Sequence, residues 1–199
     1  MRRVIVSEFV SLDGVIEDPG GAGEFDRGGW SFQVDRRAEG DKFKFDELAA
    51  ADTVLLGRVT YEGFAAAWPQ IEEQTAEYGA WMNGYPKHGA SRTLQEPLEW
   101  KNSTRIEGDV AEEVERLKQQ DGKDILVFGS GQLARTLMEH DLVDEYRLML
   151  FPVVVGKGKR LFGDVGETRT MRLVDTKPVG PDGVLILTYE PARGEESGG

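Results

Sequence analysis

Apolar positions along the chain change period several times, and each change marks an element. Residues Arg3–Val10 hold β-branched Val4, Ile5, Val6 and Val10 and read as an opening strand. No period governs Ser11–Gly40, which is rich in Gly and Asp and carries Phe25, Trp30 and Phe32. A segment that long is functional more often than it is a plain connector. A short helix over Asp41–Ala51 leads into the buried run Thr53–Leu56, ended by Gly57. Tyr61, Phe64, Ala65 and Trp68 fall at i, i+3, i+4 and i+7, a helical face that Pro69 should stop. Glu72–Gly84 predicts a further helix, and Lys87–Ser91 and Ser103–Ile106 short strands. The clearest helix is Asp109–Gln120, with Asp109 and Glu112 spaced as a capping box and Gly122 placed for a left-handed C-terminus. Ile125–Phe128 is a second buried strand, followed by the turn Gly129-Ser130-Gly131 and a helix to His140. Tyr146–Val155 is a long strand, and Arg169–Pro178 with Val184–Glu190 form a hairpin around Pro181-Asp182-Gly183.

The alternation is β-α-β with a terminal hairpin. It predicts an α/β fold: a mixed, mainly parallel central sheet, helices on both faces and a C-terminal antiparallel hairpin. One domain over 1–190 and a disordered polar tail over 191–199 complete the organisation.

Composition narrows function by exclusion. Across 199 residues, 24 Lys and Arg face 36 Asp and Glu, a net charge of −12. So acidic a chain is no general binder of nucleic-acid backbones, and any anion site on it must be local. Without Cys there is no disulfide scaffold, no thiol nucleophile and no thiolate metal site. Two histidines without a carboxylate cluster at ligand spacing argue against a metal. No apolar run reaches membrane-spanning length, and no secretory segment follows Met1-Arg2-Arg3, so the expected location is cytoplasmic.

Three places could carry chemistry. Gly57-Arg58-Val59-Thr60 ends a buried strand and opens a helix, where free N–H groups and the helix dipole favour an anion and Arg58 adds a planar cation. Gly129-Ser130-Gly131 repeats that arrangement without the full dinucleotide fingerprint, and a plain turn capped by Ser130 explains it as well. Asp13, at the end of the first strand, could orient a substrate or relay a proton, although Asp-Gly is also a common turn pair. Glu8 shares side-chain parity with Val4, Val6 and Val10; if that face is buried, it needs a partner or a ligand.

In order and spacing, these pieces resemble the dihydrofolate reductase-like proteins, specifically the branch typified by the C-terminal reductase domain of bifunctional riboflavin-biosynthesis proteins. The carriers are Val6–Gly14, Leu55–Glu62, Lys87–Leu94, Val127–Leu133, Leu142–Tyr146 and Phe151–Gly158. The resemblance implies a three-layer sandwich binding NADPH across the strand ends. Gly57, Arg58 and Thr60 would hold cofactor phosphates, Ser91 and Arg92 would lie near the 2′-phosphate, and Gly129, Ser130, Gly131, Gln132 and Leu133 would wrap the pyrophosphate. It further implies a mobile lid over Glu17–Gly40, pocket residues Asp13, Trp30, Phe151 and Pro152, and an acid among Asp41, Asp46 and Glu47. Lys157, Lys159 and Arg160 are the basic group available to a phosphoribosyl substrate. The activity implied is NADPH-dependent reduction of a small heterocycle, nearest to 5-amino-6-(5-phosphoribosylamino)uracil reduction. Dihydrofolate reduction, a non-catalytic ligand-binding protein and an acidic interaction module stand as alternatives. Self-association into a homodimer is also implied, supported in sequence by the apolar Tyr146–Val155 strand.

Overall fold

A computed structural model describes residues 1–163 and 166–192. In chain order the elements are β1 (Val4–Ser11), α1 (Arg37–Ala49), β2 (Ala51–Gly57), α2 (Arg58–Gly84), β3 (Lys87–Ala90), β4 (Ser103–Arg105), α3 (Val110–Gln119), β5 (Asp124–Phe128), α4 (Gly131–Glu139), β6 (Glu145–Phe151), β7 (Met171–Val179) and β8 (Val184–Pro191). A 3-10 turn at Trp30–Gln33 interrupts the β1–α1 connection. One sheet holds the strands in the order β4-β3-β2-β5-β1-β6-β8-β7. Its pairs are parallel up to β6, and β8 then runs antiparallel to both β6 and β7. The expected fold class is the observed one.

The apolar runs in β1, β2 and β5 exist because both sheet faces are covered. Val4, Val6, Leu55, Ile125 and Val127 point to one face and pack with Val114, Leu117, Leu133 and Leu137 of α3 and α4. Their neighbours Ile5, Val54, Leu56 and Leu126 point to the other, against Leu48 of α1 and Tyr61 and Met82 of α2. A third cluster under β6 and β8 joins Trp30, Met149, Phe151, Val155 and Ile186.

Several expected boundaries move. Asp109 does cap α3, its carboxylate accepting from the Ala111 and Glu112 N–H groups. Gly122 is not a left-handed terminus: α3 ends in extended Gln120, and Gly122 has φ 154°. Pro69 does not stop its helix either. Helical structure continues to a break at Ala76 (φ 49°, ψ −127°), where the two halves of α2 fold back on each other. Trp68 meets Tyr78 at a ring-centroid distance of 5.4 Å, and the Asn83 side-chain amide donates to the Trp68 carbonyl. These contacts across the fold-back accompany the helix past its proline. β8 reaches Pro191, so the start of the expected tail is strand, and 193–199 lie outside the described residues. Among the described residues, no helix is long and apolar enough to cross a membrane.

Candidate active site

β5 stops at Phe128, which pairs with Ser7, whereas β1 continues to Ser11 alongside β6. Beyond Ser7, one edge of β1 therefore loses its strand neighbour. A cleft of about 2900 Å³ opens there and runs over the carboxyl ends of β1, β5, β2, β3 and β4. Ligands of open α/β sheets sit where strand order switches in this way.

Two helix starts form the floor. Since β2 and β5 are neighbours, the junctions β2–α2 and β5–α4 lie side by side, and they interlock. The Gly57 N–H donates to Ser130 Oγ at 2.8 Å, the Ser130 N–H donates to Thr60 Oγ1 at 3.1 Å, and Ser130 Oγ donates to the Phe128 carbonyl. Ser130 occupies the N-cap position of α4 without capping it, because its hydroxyl is engaged across the floor. Neither α2 nor α4 has a side-chain cap, so N–H groups of both first turns remain available. Close approach dictates glycine at 129, where a β-carbon would lie 2.8 Å from Thr60 Oγ1; at Gly131 it would meet only the movable end of the Ile16 side chain, Cδ1, at 2.7 Å. Gly129 (φ 55°) and Ser130 (φ 62°) are both left-handed. Such a conformation in serine is uncommon, and such strain gathers at functional sites.

All ten residues expected to meet a cofactor line this cleft: Gly57, Arg58, Thr60, Ser91, Arg92, Gly129, Ser130, Gly131, Gln132 and Leu133. Arg58 pairs with Glu62 one helical turn on. Arg105, which sequence reasoning missed, adds a cation whose Nε is buried without a hydrogen-bond partner. Uncapped N–H groups, glycine-dependent approach and arginines together fit a dinucleotide carrying phosphates.

The other end of the cleft is aromatic and acidic. Lys44 of α1 donates to Ser7 Oγ at 2.7 Å and to Glu47 Oε1, and its ammonium lies over the Phe128 ring (4.7 Å) and the Phe9 ring (5.4 Å). Among the three acids considered on α1, Asp41 pairs with Arg36 and Asp46 with Lys42 at the surface, while Glu47 is buried against Lys44. Glu8 is 4% exposed, lines the cleft, and leaves Oε1 without a hydrogen-bond partner. Burial pushes its carboxyl well above the carboxylate range; Lys44 and the Gly129 N–H pull it down less strongly, and Glu47 adds to the rise.

Four residues expected in the substrate pocket stand elsewhere, outside the cleft lining. Trp30 and Phe151 are buried against each other in the third cluster, with Trp30 Nε1 donating to the Glu17 carbonyl. Pro152 is exposed beside them. Asp13 ties β1 to the loop after β6, accepting from Ser11 Oγ and from the Val155 and Gly156 N–H groups. Desolvation pushes this carboxyl up, but the three donors outweigh it and bring it to about 2. Asp13 therefore stabilises the fold above the ordinary Asp range, and that contribution is lost as pH falls from about 4 toward about 2. Asp13→Asn is expected to cost about 1 kcal/mol at neutral pH, allowing for solvent screening, and almost nothing near pH 2. Urea unfolding at both pH values measures the difference. The expected lid is anchored at its base: Glu17 pairs with Lys159, Asp26 with Lys157, and Arg27 donates to the Val155 carbonyl. Arg160 reaches the Asp13 carbonyl, so each cation proposed for a phosphoribosyl group already faces a partner.

Residues 2–185 match the RibD C-terminal domain family. The chain belongs to that family. The uncharacterised YyaP protein of Bacillus subtilis strain 168 is 34% identical over 190 residues, covering 94% of each chain. Solved structures of similar fold lie further off in sequence. A protein from Shewanella sp. PV-4 assigned to riboflavin biosynthesis superposes with TM-score 0.73 at 22% identity, covering 96% of this chain and 99% of its own. The dihydrofolate reductase of Enterococcus faecalis, complexed with NADP(H) and RAB-propyl, gives TM-score 0.60 at 14% identity, covering 96% and 97%. At those identities the likeness is one of fold.

Proposed function

We propose that this RibD C-terminal-domain protein is an NADPH-dependent reductase of a small, flat heterocycle. The observation that carries the reading is the interlocked pair of uncapped helix starts on the cleft floor, joined through Gly57, Thr60 and Ser130. Family membership and the NADP(H)-bound dihydrofolate reductase of the same fold support it. When bound, NADPH supplies a hydride. The N–H groups of α2 and α4 would hold its phosphates, Arg58 and Arg92 would favour a 2′-phosphate, and the Phe9 and Phe128 end would receive the acceptor. A volume of about 2900 Å³ exceeds the usual range for one drug-sized ligand and leaves room for both reactants. Reduction of 5-amino-6-(5-phosphoribosylamino)uracil is the nearest activity and the first to assay, with dihydrofolate second.

Titration with NADPH tests the reading directly, because Trp68 lines the cleft and reports through its fluorescence. Saturable quenching is expected, and no change at high micromolar NADPH overturns the proposal. Arg58→Ala and Arg92→Ala should each weaken NADPH about tenfold, the loss of one charge-assisted contact, and NADH much less. Equal losses for the two nucleotides would remove the 2′-phosphate from the argument.

A further inference from the structure

Glu8 is the buried acid among the described acids that line the cleft. The others are part-exposed or exposed, and several are already paired: Glu17 with Lys159, Asp41 with Arg36, Asp46 with Lys42 and Glu62 with Arg58. Its position follows from register. β1 carries Glu8 one residue past the end of β5, so no strand covers it on that side, and the Gly129 N–H of the cofactor floor faces its carboxyl. Oε1 has no partner although the group is nine-tenths buried. A buried polar atom without a partner is costly, and one that lines an open cleft, as Glu8 does, is placed for a ligand to satisfy.

We propose that Glu8 is the proton donor of the reduction, acting on a substrate whose reducible bond is a carbon–nitrogen or carbon–oxygen double bond. This rests on the NADPH reading above. Hydride adds to the carbon with its electron pair, the double bond becomes single, and the heteroatom takes the Glu8 proton. Glu8 is left as the carboxylate and regains its proton from water. Substrate and NADPH together gain one proton in becoming reduced product and NADP+, so the step balances. Burial favours the neutral acid over the carboxylate; the charged groups facing it are Lys44 and Glu47, both from α1, with the Gly129 N–H from the β5–α4 junction. Lys44 steadies the carboxylate at the instant it forms, and Glu47, whose Oε1 is held by Lys44 and Ser7, lies behind the cleft lining and does not reach a substrate there.

Infrared difference spectra of the full chain against Glu8→Gln give a readout that needs no substrate. A carbonyl band of a protonated carboxyl is expected at pH 7 in the parent and missing from the variant. Turnover, followed as NADPH oxidation with the phosphoribosylaminouracil or dihydrofolate, should fall about 100-fold in Glu8→Gln at unchanged NADPH affinity. In the parent, kcat/KM should decline as pH rises through the Glu8 ionisation, and Glu8→Asp should restore part of the activity. Absence of the band, or Glu8→Gln turning over at the parental rate, overturns the proposal and leaves the reductase reading standing. A parent chain that binds no NADPH overturns both. The parental pH profile stands without any variant having to fold.

Discussion

Gly129→Val is expected to remove NADPH binding, weakening it by about 100-fold or more, equivalent to about 2.7 kcal/mol. Two independent costs meet at this position. Gly129 has φ 55°, where a β-branched residue is strained by roughly 1–2 kcal/mol. Its new β-carbon would also sit 2.8 Å from Thr60 Oγ1 and 3.0 Å from Thr60 Cγ2. Relief requires Thr60 to move, and Thr60 is the acceptor for the Ser130 N–H, which in turn positions the hydroxyl that accepts from Gly57. Displacement therefore passes to both helix starts at once. Thr60→Val provides the graded control: it deletes one hydrogen bond without the backbone strain and should cost about tenfold. Calorimetric titration with NADPH, beside thermal unfolding to show that the fold persists, decides the matter. Undiminished affinity in Gly129→Val would detach the interlocked junctions from cofactor binding.

Those junctions were legible because their chemistry is local. A buried strand ending in Gly and opening a helix states in consecutive residues that N–H groups will be free, and both turns so read, Gly57–Thr60 and Gly129–Gly131, line the cleft; Ser91, Arg92, Gln132 and Leu133, which the family resemblance implied, line it too. The same holds for β1, β2 and β5, whose unbroken apolar runs announce a sheet covered on both faces. Where placement depends on distant packing, sequence misled. Trp30 lies in a long aperiodic segment, where an aromatic suggests a ligand; its true partners are Phe151 and the third cluster, which β6 and β8 bring from elsewhere in the chain. Asp13 reads as a strand-end acid, yet two of its donors come from residues 155 and 156. The parity of Glu8 was readable, but its missing neighbour depends on β5 ending at Phe128 opposite Ser7, a matter of register between strands more than a hundred residues apart. Lys44 left no signal at all. It sits on a helix with a weak apolar pattern and finds Ser7 only through tertiary packing.

Lys44→Met is expected to destabilise the chain by about 3 kcal/mol at neutral pH, while Lys44→Met combined with Glu47→Gln should recover most of that loss. The asymmetry lies in what each partner keeps. Glu47 is 1% exposed at the side chain and accepts from Lys44 and the Ser7 hydroxyl through Oε1; its Oε2 has no hydrogen-bond partner. Removing the ammonium leaves a buried carboxylate with a single neutral donor, so the chain must take up a proton or open to water. Lys44 is 13% exposed and keeps Ser7 and the faces of Phe128 and Phe9 when Glu47 becomes Gln, so that single change should cost about 1 kcal/mol. Urea unfolding of the four proteins closes the cycle: with the double variant about 1 kcal/mol below the parent, the expected coupling is about 3 kcal/mol. If Lys44→Met costs less than about 1 kcal/mol, the pair does not hold α1 to β1. The double variant then separates stability from chemistry: it should fold and bind NADPH at the far end of the cleft, yet turn over slowly, because no cation remains to steady Glu8 as it gives up its proton.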